Sequence, residues 1–187
     1  SFVCFPLAVF TFVAADSLVL VLLKERWAEV IPMLRIIVIG SSVVPLLYAL
    51  TSLLQSLGKS GLLLTMESTR NVLTILAVLI SSRYGIDPMI WCVSIMSLLT
   101  FVGEYYVAGK TINYKIIDVI KDVSPYILLA VISFIPSYIL SHYIDNNLIL
   151  LILQATIGGL IYFGLLKISG SKVMDDFLNV IRGKKLI

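Results

Sequence analysis

Runs of about 20 apolar residues, separated by short polar stretches, are the feature that most constrains this chain. A helix of that length crosses the hydrocarbon core of a bilayer. Hydrophobic residues make up 59% of the 187 residues and charged residues only 13%, whereas soluble domains contain about 25% charged residues. Mean hydropathy is +1.05. A soluble core of this size cannot cover so much apolar surface, so the sequence predicts an all-α membrane protein.

The polar breaks divide the chain into six predicted transmembrane helices, which form one bundle within residues 1–170. These helices are predicted at residues 2–23, 29–57, 60–82, 86–109, 123–143 and 147–167. Pro32 and Pro45 predict a tilt or bend in the long second span, and Pro136 predicts one in the fifth. Because the sequence starts at Ser1 without a signal peptide, we expect a chain cut from a longer protein.

Lysine and arginine are distributed unevenly over the loops between these spans. With six spans both chain ends lie on one face of the membrane, and that face collects nine basic residues against three on the other. The nine are Lys59, Lys110, Lys115, Lys121, Lys167, Lys172, Arg182, Lys184 and Lys185, and the three are Lys24, Arg26 and Arg83. Cytoplasmic loops are enriched in such residues, so we expect a cytoplasmic C-terminus. An odd number of spans would remove this alternation.

Two segments on the basic face have the pattern of helices that lie on the membrane surface. Residues 113–123 place Ile116, Ile120 and Val123 on one helical side. Residues 171–187 form a basic amphipathic tail, for which a short solvated segment is an equal alternative. An apolar stripe with basic flanks suits an interfacial helix, so both segments are predicted to rest on the cytoplasmic surface.

The third predicted span carries a polar stripe that a purely structural helix does not need. Glu67, Arg70, Asn71 and Thr74 follow one another at helical spacing, with Arg70 near mid-membrane. Glu67 and Arg70 are spaced to pair with each other. Charges inside a span usually face a partner or a watery cavity. We therefore expect this stripe to line a transport cavity, or to lock neighbouring helices together through hydrogen bonds.

Polar residues in other spans are further candidates for the same cavity. The second span has a milder stripe that includes Tyr48 and Gln55, and Arg35 lies near its outer end, where its side chain can reach lipid headgroups. Asp16 in the first span and Glu104 in the fourth are candidates for binding a coupling ion. The fourth span adds Ser97 and Thr100 to its polar side. Several helices with one hydrophilic face each can enclose an aqueous groove.

Enzyme chemistry has little support in the sequence. The single histidine, His142, falls in a predicted loop, and Cys4 and Cys92 lie in apolar runs without metal-binding spacing. No phosphate-binding glycine loop or nucleophile motif is present. The basic residues are dispersed at membrane boundaries, which is not the pattern of a nucleic-acid surface. We expect no catalytic residue, no metal, no cofactor and no nucleic-acid partner.

Short motifs at the helix boundaries resemble those of one transporter family. They are Trp-Ala-Glu-Val-Ile-Pro-Met-Leu at 27–34, Pro-Leu at 45–46, Leu-Gln-Ser-Leu-Gly-Lys at 54–59, and the Lys-Thr-Ile-Asn-Tyr stretch that leads to Lys-Asp-Val-Ser-Pro at 121–125. In order and spacing they resemble the C-terminal half of the polysaccharide and O-antigen flippases. These belong to the multidrug/oligosaccharidyl-lipid/polysaccharide exporter superfamily. Lys24 is a departure, since family members often have glycine there.

The resemblance covers nearly the whole chain and implies a specific function. It implies the C-terminal bundle of a MATE-like two-bundle transporter in the bacterial inner membrane, which works with an N-terminal bundle outside this sequence. The substrate would be an undecaprenyl-diphosphate-linked oligosaccharide for surface polysaccharide, with the polysaccharide polymerase machinery as a partner. Cationic side chains in such cavities accept the diphosphate, and Arg70 and Arg35 are the candidates here.

Two other functions are compatible with the same pattern. A cation-coupled exporter of small molecules, from the same superfamily, would use an acidic residue for its coupling ion. A noncatalytic membrane scaffold for glycan assembly would tolerate substitutions along the stripe of Glu67 to Thr74, provided that the helix still inserts. Drug-resistance assays distinguish the exporter from a flippase.

Overall fold

A computed structural model describes residues 3–112, 116–141, 143–144 and 146–168. The predicted tail at 171–187 and His142 lie outside the described residues. Within these ranges the chain is all-helical and has no β-strand. Its helices are α1 (Cys4–Val13), α2 (Ala15–Leu22), α3 (Val30–Ser41), α4 (Val44–Ser56), α5 (Ser60–Ser81), α6 (Ile86–Ile112), α7 (Ile116–Leu140) and α8 (Asn147–Ile168).

Five helical segments are long and apolar enough to cross a membrane, and a bent pair brings the number to six if it counts as one span. The five are Val30–Ser56, Ser60–Tyr84, Ile86–Lys110, Ile117–Leu140 and Asn147–Ile168. Helical backbone bonds its own polar groups, which lipid requires. The described residues therefore form an all-α structure with five or six segments that can span a membrane, and the predicted number of six is reached only if α1 and α2 form one span.

The chain divides into two compact units. The first contains α3 to α6 and the start of α7, up to Ser124. The second contains α1, α2, the part of α7 from Pro125 onwards, and α8.

In the first unit α6 is the central helix, and α3, α4 and α5 pack against it. α3 and α6 approach each other closely at Gly40 of α3, where an added Cβ atom would lie 2.7 Å from the Ser94 Cα atom of α6. The Ser94 hydroxyl donates a hydrogen bond to the carbonyl of Ile36 at 3.1 Å. Small residues allow helix backbones to approach closely in membranes, where lipid provides no hydrophobic force between helices.

The predicted second span is divided into α3 and α4, which meet at Ser42 and Val43. Pro45 lies in the first turn of α4, where a missing N–H costs nothing. The Ser41 and Ser42 hydroxyls donate to the carbonyls of Ile37 and Ile39, so polar groups near the break remain bonded. The break therefore lies where Pro45 predicted a bend.

The predicted first span differs from a single straight helix. α1 and α2 are bent by 73° at Ala14, as in a broken span or a re-entrant loop. No proline or glycine lies at the break; instead the Ala14 backbone leaves helical geometry at φ −87° and ψ 8°. Ala14 and Ala15 are both fully buried, so their small side chains let other elements pack directly against the corner. The bend therefore lies at two buried alanines, with no local helix breaker in the sequence.

The fifth span also begins earlier than predicted. α7 starts at Ile116, so part of the segment predicted as a surface helix continues directly into the span. Ile120 is 59% exposed whereas Val123 is 9% exposed, so these two residues do not share one environment. Proline at 125 cannot bond the Lys121 carbonyl, and the Ser124 hydroxyl donates to that carbonyl at 3.3 Å instead. This substitute bond allows the helix to continue through Pro125.

The second unit is packed around α8. Ala130, Tyr162 and Leu166 form a buried cluster. A Cβ atom on Gly158 would overlap the ring of Phe134. The close contact between α7 and α8 at this point therefore requires glycine at position 158. Deeper in this unit the Gln154 amide donates to the Ser137 carbonyl at 3.3 Å, and the Ser137 hydroxyl donates to the Gln154 carbonyl at 3.4 Å.

Candidate functional site

The candidate site lies in the first unit, where α5 packs against α6. Arg70 is near the middle of the 22-residue helix α5, about 15 Å from either end at about 1.5 Å rise per residue. The hydroxyls of Thr69 and Thr74 donate to carbonyls within their own helix, to Thr65 and Arg70 respectively. These two hydroxyls are therefore bonded within α5, whereas the Arg70 guanidinium is bonded outside it.

That partner is Glu104 of α6. The Arg70 Nη1 atom lies 3.3 Å from Glu104 Oε1 and donates a hydrogen bond to Oε2 at 3.4 Å. Sequence spacing suggested Glu67 as the partner of Arg70, but the structure brings Arg70 and Glu104 together across two helices. Glu104 is 9% exposed whereas Glu67 is only partly buried, so an unpaired carboxylate would cost more at Glu104 than at Glu67.

The ion pair leaves some hydrogen-bonding groups of both side chains unused. Glu104 is 9% exposed and Arg70 is 29% exposed. Among the described residues, Nη1 is the one guanidinium nitrogen of Arg70 with a side-chain partner, and the buried Glu104 Oε1 atom accepts no hydrogen bond. An arginine in low dielectric can bind two acceptor atoms in parallel. Arg70 therefore keeps N–H groups that an anionic ligand could engage.

A polar cavity of about 310 Å³ adjoins Arg70 on one side. It lies among α4, α5 and α6, within the first unit. Its lining includes hydroxyl, amide and carboxyl groups from Tyr48, Thr51, Glu67, Asn71, Thr74, Ser97 and Thr100. Groups of this kind bind sugar hydroxyls and phosphate oxygens.

A second, apolar groove of about 500 Å³ adjoins Arg70 on the side of the α5–α6 contact. It is lined by one face of each helix, half by leucine, methionine and valine residues and half by three threonines, Gly103, Arg70 and Glu104. Arg70 and Thr100 line both spaces, and Glu104 lines the groove only. The ion pair therefore marks the boundary between a polar cavity and an apolar groove.

The structure brings together one part of the predicted set of site residues. Glu67, Arg70, Asn71 and Thr74 all line the polar cavity. The other candidates lie elsewhere: Gln55 is exposed near the end of α4, and Arg35 is partly buried in α3, and neither lines the cavity or the groove. Asp16 is exposed in the first turn of α2, in the second unit.

Sequence reasoning missed Thr51 and the apolar groove. Thr51 lies one helical turn beyond Tyr48, but the predicted stripe in this span used positions on a neighbouring side of the helix. The groove had a sequence signal: Gly103 lies between Leu99 and Val107 at spacings of four, which leaves a gap in an apolar face. The sequence reasoning also missed the hydrogen-bonded pair of Gln154 and Ser137. A glutamine in the middle of an apolar span indicates that its side chain has a buried partner.

The site contains oxygen and nitrogen donors without a metal-binding cluster. Among residues the structure describes, no three His, Cys, Asp or Glu side chains are grouped so as to hold a metal ion. The chain matches no protein-family model, no curated protein and no solved structure. The chemistry of the site is therefore derived from its side chains: one partly satisfied cation at mid-span, between a polar and an apolar space.

Proposed function

We propose that this chain is part of a flippase, which moves an undecaprenyl-diphosphate-linked oligosaccharide across the bacterial inner membrane during surface-polysaccharide synthesis. The observation that carries the proposal is Arg70, a cation held at mid-span beside a polar cavity with unused N–H groups. A fixed cation at this depth lowers the free energy of a diphosphate that crosses the apolar centre of the bilayer. The hydroxyl and amide groups around it suit the attached sugars.

The wider assignment rests on the boundary motifs of the sequence. In this proposal the chain is the C-terminal bundle of a MATE-like two-bundle transporter, and an N-terminal bundle completes the cavity. The chain catalyses no covalent reaction and holds no cofactor. Its C-terminus lies in the cytoplasm, and its product goes to the polysaccharide polymerase machinery. The basic loops support this orientation if α1 and α2 count as one span.

Replacing Arg70 tests the proposal directly. In the full-length protein, Arg70→Ala should abolish most surface polysaccharide while the protein remains in the membrane at its normal abundance. Arg70→Lys should retain part of the export, because an ammonium keeps the charge but not the two-pronged geometry. Arg83→Ala is the matched control, since Arg83 is exposed in the short turn after α5 and lines neither space. Normal export by Arg70→Ala would refute the assignment of Arg70.

Glu104 favours one rival function, a cation-coupled exporter of small molecules. Its buried Oε1 atom accepts no hydrogen bond in the described structure but lies 3.3 Å from Arg70 Nη1, so a proton or Na⁺ bound there would compete with Arg70. Glu67, which lines the polar cavity, would be a second acidic group. An exporter would confer drug resistance that depends on Glu104, whereas the proposed flippase confers none. Measuring resistance with Glu104→Gln and the unmodified protein separates the two.

A further inference from the structure

Glu67 presents an unpaired carboxylate to the polar cavity. Arg70 forms its ion pair with Glu104 of α6, and no hydrogen bond or ion pair among the described residues involves the Glu67 carboxylate. Glu67 is partly buried, lines the polar cavity and lies one helical turn from Arg70 on the same face of α5. Charged groups inside a span usually face a partner or a water-filled cavity, and they mark functional sites. The role proposed for Arg70 does not account for a carboxylate at this position.

The charged groups around the site are not balanced. Among the described residues, those that line the polar cavity or the apolar groove are Arg70, Glu67 and Glu104. Two carboxylates therefore accompany one guanidinium, and the carboxylate of Glu104 is already paired with it. The excess negative charge lies on Glu67. Coulomb interactions are stronger inside a membrane protein than in water, so this charge attracts a cationic group and repels a second anion.

Glu67 also lies between two spaces along α5. It lines the polar cavity together with Arg70, and it lines a third space of about 370 Å³ together with Ser60 and Gly61 at the start of the helix. Ser60 and Glu67 are about 10 Å apart along the helix axis, at about 1.5 Å per residue. In the proposed orientation α5 starts at the cytoplasmic face, so a headgroup that follows this side of α5 reaches Glu67 before Arg70.

A protonated amine suits the surroundings of Glu67. An ammonium group carries a compact charge and donates up to three hydrogen bonds. The same cavity wall contains further acceptors, which are the side-chain amide of Asn71 one helical turn from Glu67 and the hydroxyls of Tyr48 and Thr51 from α4. Within the described part of the chain, no three His, Cys, Asp or Glu side chains are grouped so as to hold a metal ion. The lining therefore fits an ammonium group better than a tightly bound metal ion.

We infer that Glu67 selects substrates whose sugar next to the diphosphate carries a protonated amino group. This inference rests on the proposed function and adds the class of glycan. Glu67 and Arg70 are about 4.5 Å apart along the helix axis, at about 1.5 Å per residue, and a phosphate and an amine on neighbouring carbons of one sugar ring are separated by a similar distance. The diphosphate then lies at Arg70 while the ammonium group pairs with Glu67. An acidic sugar would place a second carboxylate beside Glu67, so repulsion is part of the selection.

Binding of three probes to the purified full-length protein in lipid nanodiscs tests the inference. The probes are polyprenyl diphosphates that carry glucosamine, N-acetylglucosamine or glucuronic acid, so the first sugar is cationic, neutral or anionic. We expect the glucosamine probe to bind about tenfold or more tightly than the N-acetylglucosamine probe, and the glucuronic acid probe to bind most weakly. Glu67→Gln should remove the preference for glucosamine, whereas Glu67→Asp should retain part of it because the charge remains. Glu29→Gln is the matched control and should keep the preference, since Glu29 is exposed and lines none of the three spaces.

The outcomes separate this inference from the proposed function. Equal binding of the glucosamine and N-acetylglucosamine probes, or an unchanged preference in Glu67→Gln, would overturn the role of Glu67 even if Arg70→Ala abolishes export. Loss of the preference when Na⁺ replaces K⁺ in the buffer would also overturn it, because Glu67 would then bind an inorganic cation. A preference that Glu67→Gln alone removes, at normal membrane abundance, would support it. If Arg70→Ala exports normally, the proposed function fails, whereas a measured preference that depends on Glu67 would still describe the cavity.

Discussion

The two units of the chain use polar groups in opposite ways. In the first unit two charged side chains face each other and are incompletely bonded: Arg70 uses one nitrogen, and Glu104 Oε1 accepts no hydrogen bond in the described structure. In the second unit Gln154 and Ser137 are neutral, at most 1% exposed, and bonded to each other. This neutral pair joins α7 to α8 by two hydrogen bonds, although the Gln154 Oε1 atom has no hydrogen-bond partner among the described residues. Groups left incompletely bonded beside a cavity are where a ligand can act.

Both units also depend on one glycine at a helix contact, but the neighbours differ. Gly40 in the first unit faces backbone as well as side-chain atoms of Ser94. The three atoms nearest to a Cβ at Gly158 in the second unit all belong to the ring of Phe134. A ring can rotate or shift more easily than a helix backbone can. The helix contact in the first unit is therefore the less tolerant of the two, although that unit contains the open site.

The largest effect should come from adding a methyl group at these glycines. We expect Gly40→Ala to destabilise the protein by about 3 kcal/mol, because α3 must move away from α6, and Gly158→Ala by about 1 kcal/mol. Gly61→Ala and Gly159→Ala are the matched controls, since a Cβ atom at either meets nothing within 4 Å. Melting temperatures in detergent measure the four variants. A larger loss for Gly158→Ala would reverse this part of the comparison.

A double-mutant cycle on the ion pair should give an intermediate effect. Glu104→Ala leaves Arg70 as an unpaired cation at mid-span, whereas Arg70→Ala leaves a carboxyl that can take up a proton and become neutral. We therefore expect Glu104→Ala to cost more stability than Arg70→Ala, with a coupling energy of about 1 kcal/mol or more. Reversible unfolding of the full-length protein measures it. A coupling energy of zero would mean that the pair does not hold α5 to α6.

The smallest effect should come from Gln154→Leu in the second unit. The change removes a hydrogen bond to Ser137 but also a buried amide oxygen that has no partner among the described residues. Polar contacts between membrane helices contribute about 0.6 kcal/mol on average, so the stability should change by less than about 1 kcal/mol. Export in the full-length protein should be unchanged. Loss of export with normal abundance would show that the functional polar groups are not confined to the first unit.

Much of the helical pattern follows from the sequence. The third predicted span, 60–82, corresponds to Ser60–Ser81, and the sixth, 147–167, to Asn147–Ile168. Polar or turn-forming residues mark both of these spans clearly. The 73° bend between α1 and α2 was missed because Ala14 has no local tendency to break a helix. The start of α7 was missed because an amphipathic stripe is compatible with either a surface helix or a helix end.

The site residues on α5 were predictable from the sequence, but their contacts with α6 were not. Glu67, Arg70, Asn71 and Thr74 share one helical face by spacing alone, and they line one cavity. Spacing also favoured a pair between Glu67 and Arg70, because periodicity describes neighbours within a helix only. The partner Glu104 depends on how far α6 is rotated and shifted along α5. That arrangement depends on contacts between the two helices, such as Cys92 Sγ with the Ala77 carbonyl at 3.8 Å, which no single-helix pattern contains.

The sequence by itself determined that this protein is helical, belongs in a membrane and carries a cation in mid-span. These properties follow from the length of apolar runs and the spacing of residues, and both can be read from one continuous segment. Only the tertiary structure decided that Arg70 pairs with Glu104 and lies between a polar cavity and an apolar groove. It also decided that the first apolar run is bent. The physical reason is that lipid contacts every apolar helix face equally well and so does not favour one arrangement of the helices. Close packing of small residues and pairing of polar groups determine how the helices are arranged.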